Sequence, residues 1–238
     1  MTSSVTLLPA EPSDIPTLIT ISHAAFEQDT HTRFKALYAG YNHGEGMSSP
    51  LSSWINDTSK GAVIKAVSPS HEIVGWAAWR YINFQPTDAP PSPPSPTKTQ
   101  TQEDPFPPPP KPPSNPSVPK IKHLATLTDA AMTHYSSLLT PPGVRCLILM
   151  GINVAPSHQS HGVGSSLIRW GTRLADEQRV YTWVSSSHDG YRAFEKCGFR
   201  EVGRLELSLD DFVEDEGVGE EKWGEYVWRY MRRGVGGV

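Results

Sequence analysis

Gln159-Ser160-His161-Gly162-Val163-Gly164 follows a nearly unbroken apolar run, Cys146 to Val154, and leads straight into a segment with helical periodicity. Strand, glycine loop and helix start together describe a backbone suited to holding phosphates. The first N–H groups of a helix have no intrahelical partner and lie at the positive end of its dipole, so an anion docks there without a charged side chain. Gly162 and Gly164 remove Cβ atoms that would keep a pyrophosphate away from those groups.

The elements around the loop follow from periodicity and turn chemistry. Downstream, Gly162 to Ala175 reads as a helix with Val163, Leu167, Trp170 and Leu174 on one side. Gly171 beside them would let it pack closely onto a sheet. Val180 to Val184 is the next strand, Asp189 to Cys197 a short helix, Phe199 to Leu209 a strand and Tyr226 to Met231 the last one. Upstream, Leu124, Leu127, Ala131, Tyr135 and Leu138 form a helical stripe over Ile121 to Leu139. Ala62 to Val67 and Glu72 to Trp79 make a hairpin around Ser68-Pro69-Ser70-His71. Val5 to Leu8 is a first strand, and Pro12-Ser13-Asp14 opens a helix that carries Ile15, Leu18, Ile19, Ala25 and Phe26. Two short helices follow, Thr32 to Ala39 and Ser49 to Asn56. Cys146 to Val154 has the continuous apolarity of a central strand covered on both faces. The expected class is therefore α/β, with residues 1–238 forming a single domain.

Of the 23 prolines, fifteen fall between Gln85 and Lys120. Runs such as Pro90-Pro-Ser-Pro-Pro-Ser-Pro96 and Pro107-Pro-Pro-Pro110 cannot donate ladder hydrogen bonds and bring little to bury. Residues 85–120 are expected to be a disordered or polyproline II insertion within the domain. It is either a tolerated loop insertion or a docking site for a proline-recognition module.

Composition excludes several classes. A net charge of −4 gives no basic field for nucleic acid. Two cysteines, Cys146 and Cys197, are too few for a disulfide scaffold. Neither a signal peptide nor a membrane span is read, so a soluble, intracellular, cytoplasmic protein is expected. The nine histidines show no metal-ligand spacing, and no metal is expected. There is no G-x-x-x-x-G-K-[ST], no third glycine after Gly164, and no G-x-S-x-G around Ser165 or serines 185–187.

The loop, together with Val154-Ala155-Pro156 and Tyr191-Arg-Ala-Phe-Glu-Lys-Cys-Gly-Phe199, resembles the GNAT acetyltransferases. Gln159, Gly162 and Gly164 fill the three defined places of that family's Q/R-x-x-G-x-G/A loop, and the later segment is similar to its Y-x-x-x-Y-E-K-x-G-F ending. The resemblance implies a mixed, mostly antiparallel sheet flanked by helices, and acetyl-CoA as co-substrate. It implies that N–H groups of Ser160, His161, Gly162, Val163, Gly164 and Ser165 hold the pyrophosphate. Ile152, Asn153 and Val154 would pair with the pantetheine arm like an added strand, one N–H polarising the thioester carbonyl. Acetyl would pass to a primary amine, on a small molecule or a peptide, by direct attack in a ternary complex. A homodimer is left open; nucleic acid and membrane are not expected partners.

One position departs from the family pattern. Where the family usually has a tyrosine facing the leaving sulfur, this chain has Phe194, which cannot donate a proton. Tyr191, one helical turn earlier, is the candidate replacement, or else a packing residue against cofactor or sheet. An amine with a pKa near 10 needs a base before attack. Glu27 and Asp29 after the first helix, His158 beside the loop, and Glu206 on a late strand are candidates, with a water relay as the alternative. Between Asp210 and Glu221 seven acidic residues and no basic one form either a cation-attracting rim or a solvated loop. The rival function from another class is a non-catalytic acyl-CoA-binding module.

Overall fold

The computed structural model describes residues 5–88, 105–112, 117–213 and 222–237. Seven strands form one sheet: β1 (Thr6–Pro9), β2 (Gly61–Val67), β3 (Ile73–Ile82), β4 (Cys146–Val154), β5 (Tyr181–Ser186), β6 (Arg200–Ser208) and β7 (Glu225–Arg233). Their spatial order is β1-β2-β3-β4-β5-β7-β6. Every pairing is antiparallel except β4 with β5, so the sheet is mixed and mostly antiparallel, as the resemblance implies. Helices α1 (Ile15–Phe26), α2 (Thr30–Ala39), α3 (His43–Asn56), α4 (Lys120–Leu139), α5 (Val163–Glu177) and α6 (Tyr191–Glu195) flank it.

The twofold alternation of strand side chains sorts the helices into two layers. Ala77, Trp79, Leu147, Leu149, Val184 and Met231 share a core with Val163, Leu167 and Ile168 of α5 and Phe194 of α6. The opposite face carries Trp76 and Ala78 against α1 and α3. On that same face Cys146, Ile148, Trp183 and Tyr230 pack against Ala131, Tyr135 and Leu139 of α4. Phe34 of α2 joins Leu124 of α4 and Tyr226 of β7. Gly171 does allow the close packing expected of it: a Cβ there would overlap the Trp79 indole, so α5 lies directly on the sheet.

Element boundaries differ from the sequence reading where punctuation residues sit inside an element. The helix expected at Ser49–Asn56 begins at His43, despite Gly44, Gly46 and Pro50 within it. The Asn42 side chain accepts from the Glu45 N–H at 3.2 Å and caps it, while Gly44 lets α3 approach α1 so closely that a Cβ would lie 3.0 Å from His23 Cβ. Strand β3 runs three residues past the expected end, to Ile82, paired throughout with β4.

Residues 105–112 of the proline-rich stretch lie beside α4 and the edge strand β6. The Phe106 N–H donates to the Val202 C=O at 2.7 Å, and the Pro107 C=O is 2.9 Å from His134 Nε2. The run 90–96 lies outside the described residues.

Candidate functional site

Strand β4 holds the centre of the sheet and changes partners along its length. It pairs with β5 only from Cys146 to Leu149, while β5 pairs with it only as far as Val184. Beyond that point β4 continues beside β3 to Val154, and β5 continues beside β7 through Ser186. The two halves of the sheet therefore part, leaving one edge of Ile152, Asn153 and Val154 without a strand partner among the described residues.

A bulge reinforces the parting. Ala78 pairs with Gly151 but Trp79 pairs with Leu149, so Met150 is an extra residue and is 39% exposed. After it, Ile152 and Val154 face α5, while Asn153 shares the opposite face with Trp76. Asn153 is buried, and its Oδ1 has no hydrogen-bond partner among the described residues.

The free edge runs into the glycine loop. Gln159 Nε2 donates to the Val154 C=O at 3.1 Å and so ties the loop to the end of the strand. Ser160 and Gly162 both have positive φ, +61° and +85°, a sharp reversal that carries the chain into α5. The helical ladder opens with Ser166 N–H donating to Gly162 C=O at 2.9 Å. The N–H groups of Val163, Gly164 and Ser165 precede that bond and lie at the dipole-positive end. A Cβ on Gly162 would project into open space beside them, the space a phosphate would fill. Donors, open room and a free strand edge all fit a coenzyme with a pyrophosphate and an amide-bearing arm.

The other expected site residues fall on both sides of the sheet. Phe194 is buried in the core under α5, its ring 5.6 Å from that of Phe199. Tyr191 opens α6 on the same side. Its ring stacks with the Arg229 guanidinium at 4.1 Å and its oxygen accepts from Arg192 Nε at 3.3 Å, with no acceptor for the phenolic proton among the described residues. Glu27 follows α1 on the opposite side and is exposed. His158 is engaged with Ser157 Oγ at 2.9 Å, and Glu206 pairs with Arg204 at 3.4 Å. Of the acidic stretch, residues 214–221 lie outside the described residues, and Asp210 accepts from the Trp223 and Gly224 N–H groups at 2.7 and 3.2 Å.

A cluster on the α1–α4 side has no counterpart in the sequence reading beyond Asp29. Asp29 caps α2 by accepting from Thr32 N–H at 2.8 Å, and accepts from Tyr226 Oη at 2.7 Å through its other oxygen. His31 packs against both the Tyr226 and Trp228 rings, 5.4 and 4.8 Å away. Burial, then the charge of Lys35, pushes its pKa down to about 3, so its imidazole is neutral at physiological pH. His188, at the end of β5, accepts the Val227 N–H at 3.2 Å and lies 5.5 Å from the Tyr226 ring. Burial and the adjacent Asp29 carboxylate raise the Tyr226 pKa far above that of a free phenol. These residues lie up to 199 positions apart, and no local pattern announces them.

Residues 128–199, under half of the chain, match the model of the acetyltransferase (GNAT) family, and that stretch contains β4, the loop, α5 and α6. Solved structures agree over nearly the whole length. The fold is that of the GNAT acetyltransferases. A mosquito arylalkylamine N-acetyltransferase like 5b is similar with TM-score 0.59 at 13% identity, covering 98% of this chain and 100% of that one. Arylalkylamine N-acetyltransferase 2 from Aedes aegypti gives TM-score 0.53 at 12% identity, covering 98% and 99%. A GNAT superfamily phosphinothricin acetyltransferase from Sinorhizobium meliloti, solved in complex with AcCoA, gives TM-score 0.53 at 12% identity, covering 99% and 90%. No curated protein matches by sequence. At these identities the likeness to the solved structures is one of GNAT fold. Among the described residues of this GNAT fold, no cluster of His, Cys, Asp and Glu is placed to hold a metal, and no helix is long and apolar enough to cross a membrane.

Proposed function

We propose that this chain moves an acetyl group from acetyl-CoA to a primary amine by direct attack in a ternary complex. The observation that carries the reading is the edge of Ile152–Val154, without a strand partner among the described residues, tied through Gln159 to the Gly162 turn and the first N–H groups of α5. Acetyl-CoA, when bound, supplies an activated thioester. The loop N–H groups hold the pyrophosphate, the β4 edge aligns the pantetheine arm, and one N–H of that edge donates to the thioester oxygen as negative charge develops there.

Tyr191 lies on the α5 side and offers a proton toward the departing sulfur. A thiol ionises near pH 8.5, so a single positioned acid adds to a leaving group that is already competent. The acceptor approaches from the α1–α4 side, where Glu27 and the Asp29–Tyr226 pair stand and where Asn153 Oδ1 is an unused acceptor for an N–H. The two chemical tasks thus fall on opposite faces of one sheet, joined through the gap between β4 and β5.

Thiol release from acetyl-CoA, measured across an amine panel, tests the reading. Arylalkylamines head the panel because proteins named for them share the fold. The expected result is saturable, amine-dependent release with stoichiometric N-acetylated product. Saturable coenzyme binding with no release from any amine would replace this reading with a non-catalytic acyl-CoA-binding module.

A further inference from the structure

We propose that residues 107–111 are a ligand for a protein module whose aromatic-lined groove reads P-x-x-P in the polyproline II conformation. Six of the eight residues 105–112 are proline, which locks φ near that of polyproline II. Phe106, Pro107, Pro108, Pro109 and Lys111 each precede a proline, a position that disfavours the helical region. The expected conformation has three residues per turn and therefore three ridges.

The exposures in the structure follow that period. Phe106, Pro109 and Pro112 are half-buried, whereas Pro107, Pro108, Pro110 and Lys111 are exposed. One ridge is thus turned inward, fastened by the Phe106 N–H to Val202 C=O bond and by the His134 contact at Pro107. Its anchor Phe106 packs into the core beside Tyr135 and Val202. The second ridge, Pro107 and Pro110, and the third, Pro108 and Lys111, both face solvent.

That arrangement suits recognition. A groove that reads polyproline II engages two of the three ridges and leaves the third outward. Here the ridge left over is the one already held by the domain, so a partner could dock without displacing Phe106. Tethering at Phe106 also settles ordering entropy that a free segment would lose on binding. Lys111, at the end of the third ridge, would face an acidic residue on the rim of the partner groove.

The test titrates the full-length protein with purified SH3 and WW domains as probes. At least one domain should bind with Kd below about 100 µM. Pro107→Ala/Pro110→Ala should weaken it by about tenfold or more, Lys111→Glu by about threefold, and Pro109→Ala, on the inward ridge, by less than about twofold. Thermal midpoints of the variants should stay near that of the wild type, which separates lost docking from lost folding. No binding by any probe up to about 1 mM, or equal weakening by Pro109→Ala and the double variant, would overturn the proposal.

Discussion

Tyr226 and Asp29 are joined by a 2.7 Å hydrogen bond that fastens the last strand of the sheet to the N-terminus of α2. The same carboxylate caps that helix, so one side chain anchors both elements. Tyr226→Phe is expected to lower unfolding free energy by about 1 kcal/mol in urea denaturation. Coenzyme affinity should hold within about twofold, because the loop at Gly162 lies at the start of α5, on the other layer. A large loss of coenzyme affinity would show that the two faces are coupled.

Gly162 carries the turn proposed to hold the coenzyme phosphates, at φ +85°. Gly162→Val should abolish acetyl-CoA binding in calorimetry. Backbone strain alone is controlled by Gly143→Val, at φ +80° in the turn before β4 and also with open space around it. Both variants should lose about 1–2 kcal/mol of stability, and only the first should lose the coenzyme. Equal affinities for the two would remove the loop from the binding site.

Tyr191→Phe should reduce kcat by about 10²-fold while the acetyl-CoA dissociation constant stays unchanged. The hydroxyl is already an acceptor for Arg192, so the rate loss reports on its proton. A drop of less than about threefold would leave Tyr191 as a packing residue beneath Arg229.

His31 predicts a pH dependence of stability. Its folded pKa is depressed to about 3, whereas an exposed histidine titrates near 6.5, so in between the unfolded chain takes up a proton that the folded chain refuses. The stabilisation is complete above about pH 6.5 and is lost on acidification toward pH 3, with a slope of up to about 1.4 kcal/mol per pH unit from this group. Urea midpoints at pH 7 and pH 4.5 should draw closer together in His31→Gln. An unchanged gap would mean that His31 accepts its proton in the folded state.

Gly171→Ala should lower stability by about 1–3 kcal/mol, read from the thermal midpoint, since the added methyl meets the buried Trp79 ring across the α5–sheet contact. Gly46→Ala in α3, where the methyl would meet only the Tyr41 side chain, its hydroxyl at 3.1 Å and its ring at 3.3 Å, should be milder.

The legible parts of the fold were those where pattern and position coincide. Strand β4 ran from Cys146 to Val154 as read, because an apolar run closed by Ala155-Pro156 has one interpretation. The loop could be read for a related reason: two glycines just before a helical period mark a backbone that needs their freedom, and Gly162 stands at φ +85°. Helix α3 was half hidden, since Gly44, Gly46 and Pro50 argue locally against a helix that α1 supports through tertiary contact. The Asp29–Tyr226–His31–His188 cluster was invisible apart from one candidate carboxylate. It exists only once the chain has brought α2, the end of β5 and the start of β7 together, and no short-range rule encodes that. The inward turn of Phe106 was hidden in the same way, because proline composition sets the ridges but not which of them a domain will grip.

Met150 gives strand β4 one residue of slack, and that residue sets the phase of everything after it. Were it laid regularly into the ladder instead of bulging, strict alternation from Leu147 and Leu149 would send Gly151 and Asn153 toward α5 and turn Ile152 and Val154 the other way. One residue added to the ladder after Met150 would keep the composition of the strand almost intact and still invert its last four side chains. It would set an amide against the apolar core beneath α5 and two branched aliphatics where the unused Asn153 oxygen now stands. Length at this point is therefore as much a part of the site as the identity of any residue in it.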